Sequence, residues 1–314
     1  MRHSILSSTK SSLSRNFISR TVPFCVALVC AELCWSGISG GLPSAQAQQA
    51  NQVNQANSAL RRGNGRSSTA NNQIRQVNNE ATEVKNPKLA EMLKTLEKVQ
   101  EAVNRLQDYT ADFEKYELVD GTGPVSQKMK IKHRPEPFSV HIQFLSGSPR
   151  AEQVLYQPGW NQNQMMVKVA GIASFLTSNV SLNPLDPKAM EYSRHPISEI
   201  GLKGMLDGVM NMWKDDLKYA DLQVLYYKDA KLNANSTKTY YAFKTVHPQP
   251  RNVPRFKETT LWIDKETLLP VQLLNKGFNP NGGEPVVVEM YKYSNLRTNV
   301  GLQAADFDPN RYGF

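Results

Sequence analysis

Apolar residues recur at three- and four-residue intervals from Leu89 through Met92, Leu93, Leu96, Val99 and Val103 to Leu106, the period that lays one stripe along a helix. Asn86 precedes this run as an N-cap, and Pro87 takes the first helical position, where a missing N–H costs nothing. From Tyr109 the period shortens to two. Tyr109 to Leu118 predicts a strand, and a Gly121-Thr122-Gly123-Pro124 turn leads into the clearest stretch of the chain, KMKIKHRPEPFSVHIQFL at 128–145. There Met129, Ile131 and His133 alternate with Lys128, Lys130, Lys132 and Arg134. Pro135 and Pro137 mark a reversal, and Phe138, Val140, Ile142 and Phe144 repeat the alternation on the way back. One face of this hairpin must cover apolar material.

A second hairpin follows, with strands near Glu152 to Gln157 and Gln164 to Ala170 around Pro158-Gly159-Trp160-Asn161. Trp160 at its tip is either a ligand contact or a ring folded over the sheet edge. Between Gly171 and Ala220 the period changes again: Asn183 to Pro187 reads as loop, with Pro187 opening a short helix. Ile197, Ile200, Leu206, Val209, Met210, Trp213 and Leu217 predict an amphipathic helix after Arg194-His195-Pro196. Met205, Met210, Met212 and Trp213 form an adaptable apolar cluster suited to core or to an acyl pocket. Five more strands are expected at Leu222 to Lys228, Thr239 to Val246, Lys257 to Asp264, Pro270 to Lys276 and Val286 to Tyr293. Successive hairpins without crossover helices imply an antiparallel meander, so the class is α+β. The tail, Asp306-Phe307-Asp308-Pro309, is expected to pin an aromatic ring onto the sheet.

The ends of the chain change this picture. Arg2, Lys10, Arg15 and Arg20 precede an apolar run from Val22 to Ala31, followed by Ala45-Gln46-Ala47. That is the layout of an export signal cleaved near Ala47, and the run is too short for a permanent transmembrane segment. The protein is therefore expected to be exported, periplasmic or extracellular, with residues 1–47 removed. Cys25, Cys30 and Cys34 all lie in that segment, so the mature form would carry no thiolate chemistry and no cysteine-bound zinc. Residues 48–86 hold 15 Asn or Gln among 39 positions and no aromatic residue, a composition that cannot offset ordering entropy. They are expected to form a disordered linker before a single domain at 87–314. Losing the signal lowers the net charge from +9 to +6, compatible with an anionic envelope surface but short of a nucleic-acid footprint.

Candidate chemistry is sparse. Beyond the expected signal segment the chain has no Gly-x-Ser-x-Gly elbow, no His-Glu-x-x-His helix and no phosphate-cradling glycine loop. Pairing Arg134 with Pro137 would set His141 opposite Lys130 and leave His133 and His141 several rungs apart, so no metal site is expected there. No catalytic residue and no cofactor is assigned, although a pocket placing His195 or His247 beside a carboxylate would revive a hydrolase or isomerase. Lys128, Lys130, Lys132 and Arg134 form a row about 7 Å apart on one strand face. That row is either a solvated, aggregation-blocking face or a contact for anionic polymer.

The order of elements, with Tyr-Thr-Ala-Asp-Phe at 109–113, Asp120-Gly121-Thr122-Gly123, His133-Arg134-Pro135 and the Pro158-Gly159 turn, resembles the periplasmic lipoprotein-carrier superfamily, the LolA, LolB and LppX-like proteins. It is more closely similar to a secreted bacterial domain-of-unknown-function family of that layout. The resemblance spans about Pro87 to Phe314. It implies a strongly curved antiparallel sheet, an incomplete β-barrel, closed by helices around an apolar cavity for a lipid or lipoprotein acyl chain, without enzymatic activity. In the carrier, an Arg-Pro arginine bonds to the helical lid, and Arg134-Pro135 stands at that place. Here Lys130 and Lys132 replace the carrier's inward apolar residues. Either a bulge redirects Arg134 or it is the last rung of the exposed row, and the alternation favours the second. The expected ligand contacts are Arg134, Phe138, Val140, Ile142, Phe144, Trp160, Met210 and Trp213. Lys128, Lys130 and Lys132 are the expected contacts of the alternative, an envelope interaction module.

Overall fold

The computed structural model describes residues 84–171, 177–251 and 256–314, and the expected signal segment and nearly all of the linker lie outside them. Helix α1, Pro87–Asn104, starts as predicted: the Asn86 side chain accepts from the Leu89 amide at 3.0 Å. The same carboxamide donates to the Leu222 carbonyl at 2.8 Å, so the cap also ties the helix to the chain after the third helix. Leu89, Met92, Leu93, Leu96, Val99, Ala102 and Val103 are buried along one face. Burying each large side chain contributes roughly 1.5–3 kcal/mol.

Eleven strands follow: β1 Tyr109–Val119, β2 Gly123–Arg134, β3 Ser139–Ser146, β4 Ala151–Tyr156, β5 Met165–Val169, β6 Asn179–Leu182, β7 Gln223–Ala230, β8 Tyr240–Val246, β9 Glu258–Asp264, β10 Pro270–Gly277 and β11 Val286–Thr298. They form one sheet in the order β6-β5-β4-β3-β2-β1-β11-β10-β9-β8-β7, with every pairing antiparallel. The sheet stays open between β6 and β7. Two meanders are thus joined edge to edge by β1 and β11. Helices α2, Pro187–Met190, and α3, Leu202–Asp216, bridge the gap in sequence between β6 and β7.

The curvature follows from which residues meet. Val180 on β6 and Asn275 on β10 line the same cavity, although in a flat sheet strands seven places apart would lie about 34 Å from each other. The sheet therefore wraps α1 and α3 on its concave side. There Tyr109, Phe113, Ile131, Val140, Leu261, Ile263 and Tyr293 share one core with the helical stripes.

Three expectations need correction. The hairpin register pairs Arg134 with Ser139 and Lys132 with His141, so the closing loop is longer than the two prolines implied. His133 and His141 are therefore on adjacent rungs but opposite faces. The helix expected to begin with Ile197 is broken: a single 3-10 turn at Ile197–Glu199 ends before Gly201, whose φ of 114° only glycine adopts readily. A side chain at Gly201 would also meet the Tyr109 hydroxyl and the His133 imidazole at 2.9 Å. Strand β6 lies before the loop at Asn183 to Pro187, in a stretch where the sequence pattern predicts no element, because four residues are too few to declare a period.

The convex face is covered in part by the C-terminal tail. Phe307 is buried there, Arg134 lies 5.2 Å over its ring, and Tyr312 stacks on His141 at 3.7 Å. Lys132 reaches Asp306 at 3.5 Å. Among the described residues no helix is long and apolar enough to cross a membrane.

Candidate functional site

Between the concave sheet and the helices lies a cavity of about 990 Å³, at the upper end of the range for small-molecule sites. One wall is apolar and comes from β2 to β6: Met129, Ile142, Phe144, Val154, Met165, Val167, Val180 and Leu182. Helix α3 supplies the roof through Gly204, Met205, Gly208, Val209 and Met212, positions three and four apart on one side. Gly204 is there because the helix start passes close to the preceding turn; a Cβ would strike the Glu199 carbonyl oxygen at 1.9 Å. Gly208 is different, since a Cβ there would meet nothing within 4 Å.

The opposite wall is polar. Two neighbouring rungs of the sheet carry Gln127, Lys115 and Tyr291, then Glu117, Glu289 and Asn275. All six line the cavity. Glu117 accepts from Lys115 Nζ at 3.0 Å, from the Arg194 amide at 2.8 Å and from the Tyr291 hydroxyl at 2.6 Å. Glu289 accepts from Arg194 Nε and His195 Nε2, each at 3.2 Å, and from Asn275 Nδ2 at 2.8 Å. Both carboxylates are almost fully buried; Glu289 also accepts from the Tyr291 hydroxyl at 3.4 Å, and three or more donors apiece make ionisation tolerable there. For Glu289, burial alone would raise the pKa, but the bonds and charges of His195, the Asn275 bond and the Arg194 charge together hold it below the usual range. Burial pulls Lys115 down against the pull of Glu117.

This network fixes a strap, residues 191–196, over the end of the cavity. Lys115 Nζ also donates to the Tyr192 carbonyl at 2.9 Å and to Ser193 Oγ at 3.1 Å. Thr122 Oγ1 donates to the Glu191 carbonyl at 2.8 Å, and Arg194 Nη1 to the Leu118 carbonyl at 2.9 Å. His195 bridges Glu289 and Glu199 through its two ring nitrogens, each at 3.2 Å. The Glu289 hydrogen bond, more than any other contact, raises the imidazole's pKa. The condition set for reviving an enzyme is thus met in geometry. Both ring nitrogens are engaged by carboxylates, so the ring ties Glu289 to Glu199. His247 sits 3.1 Å from Asp216, both buried, and accepts from Arg251 Nε at 3.4 Å; this pair joins the end of α3 to the loop after β8, away from the cavity.

A family model described as a protein of unknown function (DUF1571) matches residues 106–314. The chain belongs to that family. No curated protein matches it. Among solved structures the chain is similar to lipoprotein LppX of Mycobacterium tuberculosis, with 12% identity, 70% of this chain and 99% of that one covered, and a TM-score of 0.40. It is also similar to a putative outer membrane lipoprotein-sorting protein domain from Vibrio parahaemolyticus, with 12% identity, 71% and 98% covered, and a TM-score of 0.33. A LolA superfamily protein from Nitrosomonas europaea gives 9% identity, 71% and 98% covered, and a TM-score of 0.28.

The expected contact residues divide. Ile142 and Phe144 line the cavity, whereas Val140, Met210 and Trp213 are packed solid in the core. Trp213 donates to Thr245 Oγ1 at 2.9 Å. Helical geometry puts Met205 and Met212 at the cavity in place of Met210 and Trp213. Phe138 packs edge-on against His133 at 5.0 Å, beyond the cavity, and Trp160 stays partly exposed at its turn. Arg134 keeps phase with the lysines on the convex face and bonds to the Pro137 carbonyl at 3.2 Å and Ser139 Oγ at 3.0 Å. The register irregularity lies between Lys128 and Met129, too far back to turn it inward. Across the strands, Lys128 and Lys130 face Glu114 and Asp112, so the basic row is laddered with acid. Among the described residues no group of three or more His, Cys, Asp or Glu side chains could hold a metal ion.

Proposed function

We propose that this is an exported, non-enzymatic binding protein that shelters an apolar chain, of a lipid or of a lipoprotein, between its sheet and helices. The observation that carries the reading is the large cavity whose apolar wall the chain's own side chains leave open. Transfer of a hydrocarbon tail from water to such a wall is favourable by about 0.8 kcal/mol per methylene, and no cofactor is needed. Residues 1–47 serve as the export signal, and 48–86 act as a tether between the cleaved end and the domain. The alternative, an anionic-polymer module, gains nothing from a lysine row already faced by carboxylates.

Organic extraction of the purified protein, with titration of a fluorescent fatty-acyl probe, tests the proposal. Extracted amphiphile and saturable probe uptake are expected. Neither appearing, with the protein folded, would refute it.

A further inference from the structure

The polar wall of the cavity says what kind of head such a chain carries. We infer that the cavity takes an amphiphile with an uncharged, hydroxyl-bearing head, seated at the Gln127 carboxamide. This rests on the chain-binding reading and deepens it.

Gln127 and Asn275 flank the charged network from β2 and β10. Both are at least nine-tenths buried and both line the cavity. The Gln127 side chain makes no hydrogen bond among the described residues yet stays open to the cavity, whereas Asn275 spends its Nδ2 on Glu289 and its Oδ1, though unpartnered, is closed off from the cavity. Buried polar atoms are rarely left in that condition. A carboxamide offers a donor and an acceptor, which suits a hydroxyl able to give and take a hydrogen bond.

The neighbouring charges exclude a charged head from this wall. An anion would approach Glu117 and Glu289, whose charges are fixed and buried, and Lys115 has already committed all three N–H donors. A cation finds both carboxylates already occupied, Glu117 by three donors and Glu289 by four. A neutral polyol end disturbs neither balance. Arg150 and Lys188 also line the cavity, but both are exposed at its opening.

The test is displacement of a fluorescent acyl probe from the purified mature chain by monopalmitoylglycerol, palmitate and palmitylamine, which share one tail. Monopalmitoylglycerol is expected to displace at about tenfold lower concentration than either ion, as one or two hydrogen bonds to a single buried amide would give. Gln127→Met removes this amide without touching the network, and Gln127→Asn shortens its reach at less risk to folding. Either should shrink the preference to about threefold or less while leaving palmitate unchanged. Equal displacement by all three, or preference for an ion, overturns the head assignment and leaves the chain reading standing. Displacement by none overturns both.

Discussion

Gly208 offers the sharpest perturbation, because helix stability and cavity occupancy respond to it in opposite directions. It sits mid-helix in α3, lines the cavity and has open space where a Cβ would stand. Replacing it with leucine gains about 0.8–1 kcal/mol of helix propensity. For a domain of this size that raises Tm by about 2–4 °C. The same side chain occupies room that a ligand tail would fill. If it displaces about three methylenes, binding weakens by about 2.4 kcal/mol, roughly sixtyfold. Gly208→Trp extends the series with a larger plug. Thermal unfolding of the protein without added ligand and acyl-probe titration, run on the same preparations, read the two effects separately. A variant that is more stable yet binds the probe within about twofold of the parent would show that the tail lies elsewhere.

Other outcomes follow from the network and the core. His195→Ala should cost about 1 kcal/mol near pH 5.5, a charge-assisted bond discounted for the ring's partial exposure. Because its pKa is raised in the folded protein, that contribution is full below the free-histidine value and disappears as pH rises through the folded one. Urea midpoints should therefore differ at pH 5.5 and converge at high pH; equal losses at both would refute the tie. His133, stacked 5.0 Å from Tyr109, is pushed down to about 4 by burial. Stability should fall by about 3 kcal/mol between pH 6.5 and 4 on its account, and a His133→Phe variant retaining the full slope would contradict this. Phe307→Ala on the convex face should lower stability by about 3–5 kcal/mol but leave probe affinity unchanged; an equal loss of affinity would mean that the tail is coupled to the cavity.

Much of the scaffold was legible because strands with one wet face announce themselves by alternation. Met129, Ile131 and His133 point inward as that rule requires, and their opposites Phe144, Ile142 and Val140 follow. The helix contacts were read less well. Periodicity gives the apolar stripe of α3 but not which edge of the stripe meets side chains and which meets the cavity, so Met210 and Trp213 stood in for Met205 and Met212.

The polar wall was missed although a signal existed. Extending the inward phase of β1 from Tyr109, Ala111 and Phe113 arrives at Lys115 and Glu117. The same exercise takes β2 back from Met129 to Gln127 and β11 from Tyr293 through Tyr291 to Glu289. Charged residues on an otherwise buried phase mark either a strand end or a buried network. Only the pairing of β1 with β11, some 170 residues apart, brings these breaches together.

Native mass spectrometry of the purified mature chain tests the central idea most directly. The account predicts a population heavier than the bare chain by the mass of one amphiphile, lost on organic extraction and restored by monopalmitoylglycerol at one molecule per chain. A single peak at the bare mass, unchanged by saturating amphiphile while the protein remains folded, would contradict it.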